Sequence, residues 1–196
     1  MASTASNSSI DICARALVLI GADPITSFDD NTTEALVASN MYEDIARASL
    51  CNTRWRFATD QEVLARLTDE PTGRFDKAYQ LPSDLLMLNA VTISDQPIDY
   101  TVYGNKVFTN DAGTSDTVIA DYIYRANETN WPSYFSVAVE YAMAGIFATS
   151  IARDGSLATI MEQKADLLMR KARNLDSQQQ TTRNINTSRF LTERRS

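Results

Sequence analysis

The chain reads as an α+β protein, mainly α: a four-helix core, a small antiparallel β-sheet inserted between helices two and three, and an extended C-terminal tail. Three observations predict this class. Apolar residues recur at three- and four-residue steps before Trp55 and again after Pro132, the period of a helix with one buried face. From Phe75 to Tyr124 the pattern changes to short β segments punctuated by turn dipeptides. After Asp176 the periodicity ends and the composition becomes polar and basic.

The first helix should begin near Ser8 or Ser9, whose hydroxyls can cap free amides. Cys13, Leu17 and Ile20 share a face, with Ile12, Ala16 and Leu19 beside them. Gly21 can take the left-handed conformation that ends a helix, and Pro24 prevents continuation. In the second helix Asn31 stands three residues before Glu34, a capping-box spacing. Its stripe runs through Leu36 or Ala38, Met41/Tyr42, Ile45 and Ala48/Ser49. Arg54-Trp55-Arg56-Phe57 alternates polar and aromatic residues, which suits an extended exit strand.

Thr68 to Gly73 is a turn-rich connection. Val91–Ser94 reads as a short strand, and Thr101–Tyr103 and Lys106–Phe108 flank Gly104-Asn105, a hairpin dipeptide. Thr117–Tyr124 is the strongest strand candidate. Asn130-Trp131-Pro132 starts the third helix, which is apolar on nearly every side from Phe135 to Ile151 and so belongs at the centre of a bundle or at a subunit contact. Arg153-Asp154-Gly155 breaks it. The fourth helix carries Leu157, Met161, Ala165, Leu168, Ala172 and Leu175 at helical steps.

This organisation predicts a single domain over residues 1–178, with a helical core at 8–58 and 130–178, a β insertion at 75–125, and a flexible docking arm at 179–196. A chain of 196 residues, 44% hydrophobic and 22% charged, can bury a core without staples. No apolar run approaches the ~20 residues of a membrane span. Residues 1–10 have no basic-then-apolar signal pattern and read as a short unstructured lead.

Residue chemistry argues against catalysis. The chain has no histidine, which removes the commonest general base and metal ligand together with any Ser-His-Asp or Cys-His system. Cys13 and Cys51 are the only cysteines and suit small core residues. No cofactor or metal site is implied. The acid pairs Asp29/Asp30, Glu43/Asp44 and Asp69/Glu70 are adjacent in sequence and would not face one another on regular structure. A carboxylate-based polysaccharide-degrading enzyme, which needs two acids held across a pocket, remains the alternative. Gly21-Ala22-Asp23 and Asn105-Lys106 lack phosphate-loop spacing and are turns. Arg54–Phe57 could in principle stack on single-stranded nucleic acid, but it opens onto acidic residues. Core aromatics with snorkelling arginines fit better.

Charge divides the chain. Residues 1–169 hold 11 Lys/Arg against 23 Asp/Glu, a balance of -12, whereas residues 170–196 hold seven Lys/Arg against two acids, a balance of +5. An acidic body repels nucleic acid, and a basic tail reaches for an acidic partner. In that tail Ile185, Phe190 and Leu191 are apolar anchors set among Arg183, Arg189, Arg194 and Arg195, a pattern for docking rather than solubility alone.

The segments Ala16–Phe28 (ALVLIGADPITSF), the Tyr42-centred second helix, Trp55–Ala58 (WRFA) and Tyr79–Leu86 (YQLPSDLL) resemble, in that order, the tail tubular protein A family of short-tailed phages, the head-to-tail adaptors. The resemblance implies a homo-oligomeric ring, usually a dodecamer, mounted under the portal protein. It would seat the tail nozzle, help to anchor fibres or spikes, and continue a channel through which DNA passes without specific binding. In such adaptors the C-terminal segment reaches up to the portal. The resemblance therefore assigns portal contact to Arg183, Ile185, Arg189, Phe190, Leu191, Arg194 and Arg195, within a virion protein that has no membrane partner.

Overall fold

The computed structural model describes residues 7–68 and 73–179. Helix α1 (Ser9–Leu19) opens with a reciprocal capping box. Asp11 N–H donates to Ser8 Oγ at 3.1 Å, and Ser8 N–H donates to Asp11 Oδ2 at 3.1 Å. It closes at Gly21, whose φ of +78° lets Ala22 N–H return to Leu17 O at 3.1 Å.

Helix α2 (Thr33–Cys51) is capped by Thr32, not by Asn31. The reason lies in the preceding loop. Asp30 accepts from the amides of Thr26 (2.9 Å) and Ser27 (3.0 Å), and its carbonyl accepts from Thr32 N–H at 2.8 Å. That closed loop delivers Thr32 in extended geometry, with its hydroxyl 3.2 Å from Ala35 N–H. The face α2 buries is Ala35, Ala38, Tyr42, Ala46, Ser49 and Leu50, and Leu36 points outward at 62% exposure.

Residues 54–57 do not extend as the alternation suggested. Arg56–Ala58 is one 3₁₀ turn, and it brings Trp55 and Phe57 to the same partner. Each ring centroid lies 5.0 Å from that of Phe135, and Trp55 Nε1 donates to Ser49 O at 3.0 Å. Strand β1 (Thr59–Val63) follows at once.

The β region forms two small antiparallel sheets rather than one. In the first, β1, β3 (Leu85–Ile93), β4 (Gln96–Pro97) and β7 (Val118–Tyr124) lie in the order β1-β7-β3-β4. In the second, β2 (Lys77–Gln80), β5 (Thr101–Tyr103) and β6 (Lys106–Thr109) lie in the order β2-β6-β5. Strand β3 is far longer than the Val91–Ser94 segment visible in sequence, because irregularities at Leu85/Met87 and Leu88/Ala90 break its alternation. Ser94 (φ 51°) and Asp95 (φ 63°) turn β3 into β4 with both central residues left-handed, a type I′ geometry that needs no glycine here.

Helix α3 (Ser133–Ser150) starts after Pro132 and is buried through Phe135, Val139, Met143 and Phe147. It is the centre of the helical core, with α1, α2 and α4 (Gly155–Ser177) packed around it. Asp154 caps α4 by accepting from the amides of Ser156 (2.9 Å) and Leu157 (3.1 Å), with Arg153 left-handed at φ 52° just before it.

The buried face of α4 is Ala158, Met161, Ala165, Met169, Ala172 and Asp176; Met161, Ala165 and Ala172 are buried as expected, but Leu157, Leu168 and Leu175 each give way to the residue that follows. Close approach of α3 decides this. A Cβ on Gly145 of α3 would lie 3.1 Å from Glu162 Cγ, and three alanines at seven-residue spacing let the axes draw together. Leu175 is left 47% exposed.

A second apolar cluster of Leu64, Tyr79, Val91, Val107, Val118 and Tyr122 joins the two sheets. Tyr124 packs against both clusters, and its hydroxyl donates to Phe57 O at 3.0 Å.

Candidate assembly site

The C-terminal end of α4 is tied to the corner that follows α2. Asp176 is 4% exposed in the last turn of its helix, where the negative end of the macrodipole disfavours an acid. Two donors compensate: Arg56 N–H and the Tyr134 hydroxyl, each 3.0 Å from a carboxylate oxygen. Burial, and then the bond to Asp176, pushes the Tyr134 phenol up to about 12. Arg173 Nη2 adds a bond to Asn52 Oδ1 at 3.2 Å. Gln179, the last residue described, lies 3.4 Å through Nε2 from the Tyr134 oxygen. The point at which residues 180–196 depart is therefore fixed to the body.

Beside this corner is a groove of about 580 Å³ lined by Arg54, Arg56, Thr59, Asp60, Gln61 and Asp121. Asp121 is 6% exposed and accepts from Arg54, from Gln61 Nε2 at 3.2 Å and from Asn89 Nδ2 at 3.2 Å. A carboxylate engaged by three donors is an anchor for the sheet rather than a reactive group.

A second polar cluster closes the helical core over the end of β7. Arg125 donates to Glu43 from Nε (3.0 Å, Oε1) and Nη2 (2.9 Å, Oε2), and to Glu128 Oε1 at 2.5 Å. The Tyr42 hydroxyl donates to Glu128 Oε1 at 2.9 Å, and the guanidinium lies 5.6 Å from the Trp131 ring centroid. Burial pushes the Tyr42 phenol up. The hydrogen bond from Arg125 holds Glu43 below its ordinary 4.5 despite partial burial.

A folded-state pKa below the unfolded one adds stability above the ordinary carboxylate range, and that stability is lost as pH falls through the depressed value. Replacing Glu43 by Gln should therefore flatten the loss of thermal stability between neutral pH and the region below 4.5. Melting curves recorded over that range test this, and parallel curves for the two proteins would refute it.

Glu43 and Glu128 are thus a carboxylate pair bridged by a guanidinium, not two acids facing across a cleft. Of the acid pairs singled out in sequence, Asp30 serves the loop before α2, Glu43 enters this clasp while Asp44 is exposed, and Asp69 and Glu70 lie outside the described residues. Among the described residues no group of three or more acids or cysteines is placed to hold a metal. None of their helices is long and apolar enough to cross a membrane. Cys13 is buried, and burial pushes its thiol up to about 12.

The tail residues assigned to portal contact, Arg183, Ile185, Arg189, Phe190, Leu191, Arg194 and Arg195, all lie outside the described residues. What sequence reading missed is the latch that positions their origin. Its signal in the sequence is Asp176, four residues after Ala172 and so in line with the alanine stripe.

No curated protein matches the chain. The profile of the family described as tail tubular protein matches residues 10–184, from the first turn of α1 through both sheets and all of α4. That match covers most of the 196 residues. The chain belongs to the tail tubular protein family and is a structural component of a phage tail.

Proposed function

We propose that the protein is the head-to-tail adaptor of a short-tailed phage: a ring beneath the portal protein that joins capsid to nozzle and continues the DNA channel. The match over residues 10–184 carries this reading. Charge supports it. The balance of -12 over residues 1–169 keeps phosphates from adhering to a conduit, and the basic residues that follow suit an acidic docking partner.

In this reading the body, residues 1–178, is the ring subunit, dodecameric as in the resembling adaptors, and 179–196 is the arm to the portal. The nozzle and the fibres or spikes sit below. The reading is of a structural part rather than an enzyme, which the structural partners of Asp121, Asp176, Glu43 and Glu128 support. Mixing the purified protein with the portal of its own phage and imaging the product by cryo-electron microscopy tests the assignment. A symmetric ring stacked coaxially on the portal is expected, and portals that remain bare at saturating protein would overturn it.

A further inference from the structure

A closed ring of identical subunits needs a heterologous contact, in which one face of each copy meets a different face of the next. The helical core carries two unlike helix faces that meet this requirement. On α4, packing of the alanine stripe against α3 leaves a second stripe outward: Ile160, Lys164, Leu167, Lys171 and Leu175, at steps of four, three, four and four. Ile160, Leu167 and Leu175 are 49%, 51% and 47% exposed, and both lysines are exposed. Lys164 lies 5.6 Å over the ring of Tyr141, so the patch continues onto α3, where Val137 is 37% exposed. It is an apolar seam studded with cations.

On α2 a stripe at the edge of the buried face, Glu34, Val37, Met41, Asp44 and Ala48, recurs at steps of three, four, three and four, with Val37 also packed on the core. Val37 and Met41 are half-buried, Ala48 is exposed, and the charges are acidic. The two helices pack against α3 by their buried faces. Both stripes have the spacing by which one helix lays a seam along another.

We infer that the Ile160–Leu175 face of α4 docks on the Glu34–Ala48 face of α2 in a second copy of this chain. The inference rests on the ring proposed above and names the contact that closes it. The observation that selects a second copy as occupant is charge. Lys164 and Lys171 face outward on a body that is otherwise strongly acidic, and α2 supplies the opposite charges, Glu34 and Asp44, along one seam, ten residues apart where the lysines are seven. The exposed leucine and isoleucine side chains contribute the apolar part, which a subunit standing alone leaves in water.

The test is a charge swap in the full-length chain. Lys164→Glu with Lys171→Glu should weaken self-association about tenfold, measured by analytical ultracentrifugation of the free protein and by ring occupancy on portals in electron micrographs. Glu34→Lys with Asp44→Lys should weaken it similarly. The four changes combined should restore it, because the attraction returns with its signs exchanged. Lys164, Lys171 and Asp44 are exposed, whereas Glu34 is half-buried in the first turn of α2, so the lysine pair should melt near wild type and is the variant that separates lost contact from lost fold.

Association unaltered by either pair, or a fourfold variant no better than the pairs, would overturn the inference while leaving the ring intact. Loss of portal binding with self-association unchanged would overturn it too, and would assign the α4 face to the portal. A wild-type chain that forms no ring, free or on portals, would remove the proposed function together with this contact.

Discussion

Deleting residues 180–196 is expected to leave a folded protein that no longer joins the portal. Every buried residue described precedes this segment, the last being Asp176, so the melting temperature should not change. The deletion removes Ile185, Phe190 and Leu191 with Arg183, Arg189, Arg194 and Arg195. Anchors of this kind typically contribute about 2 kcal/mol or more apiece where they dominate an interface, so affinity should fall at least about a hundredfold. Replacing only the four arginines by alanine should act differently, slowing association and removing its salt dependence while part of the affinity survives. Co-sedimentation with portal, at low and high salt, distinguishes the two. A truncated protein that sediments with the portal as the full chain does would refute the docking arm.

Trp55→Ala is expected to be the most destabilising single change in the helical core. Trp55 is fully buried, donates to Ser49 O, and stacks near Phe57 and Phe135 at 5.9 and 5.0 Å. Truncating a buried tryptophan typically costs about 3–5 kcal/mol, a large part of the roughly 5–15 kcal/mol that separates a native domain from its unfolded chain. A drop of about 10 °C or more in melting temperature is expected at this size. The change should also loosen the Arg56–Ala58 turn and with it the Asp176 latch, so amide exchange at 173–179 should quicken. A melting temperature within a few degrees of wild type would show that the α2–α3 corner is not the keystone of the core.

The sequence was most legible where local chemistry decides the outcome. Gly21 and Pro24 end the first helix whatever surrounds them, and the charge balance needs no fold to be read. Thr101–Tyr103 and Lys106–Thr109 are joined by Gly104-Asn105, and with Gly104 at φ 60° and Asn105 at negative φ that dipeptide forms a type II′ hairpin turn. The cap of α2 falls on Thr32, one residue after the Asn31 that the spacing suggests, because Asp30 commits its carboxylate to the loop before it and the loop's closure sets the entry.

The limits of reading appear where two local patterns compete. On α4 two stripes share Met161, Ala165 and Ala172 and differ by one residue at Leu157 or Ala158, Leu168 or Met169, and Leu175 or Asp176, and both have helical period. Period cannot choose between them. Residues 54–57 pose the same ambiguity: alternation suits a strand, but one turn of 3₁₀ helix lets Trp55 and Phe57 both reach Phe135, and packing a buried Trp55 and a half-buried Phe57 there outweighs continuing the pattern.

By itself, then, the sequence determined the class of the fold, the order of its helices, the split between an acidic body and a basic tail, and the absence of histidine chemistry. These follow from residue type and spacing alone. Only the tertiary structure decided which face of α4 is buried, that the β region forms two sheets, and that Asp176 ties the origin of the tail to Arg56 and Tyr134. Each of these is settled by how closely two distant segments approach, and the approach of α3 to α4 is a property of the packed core that no stretch of chain contains.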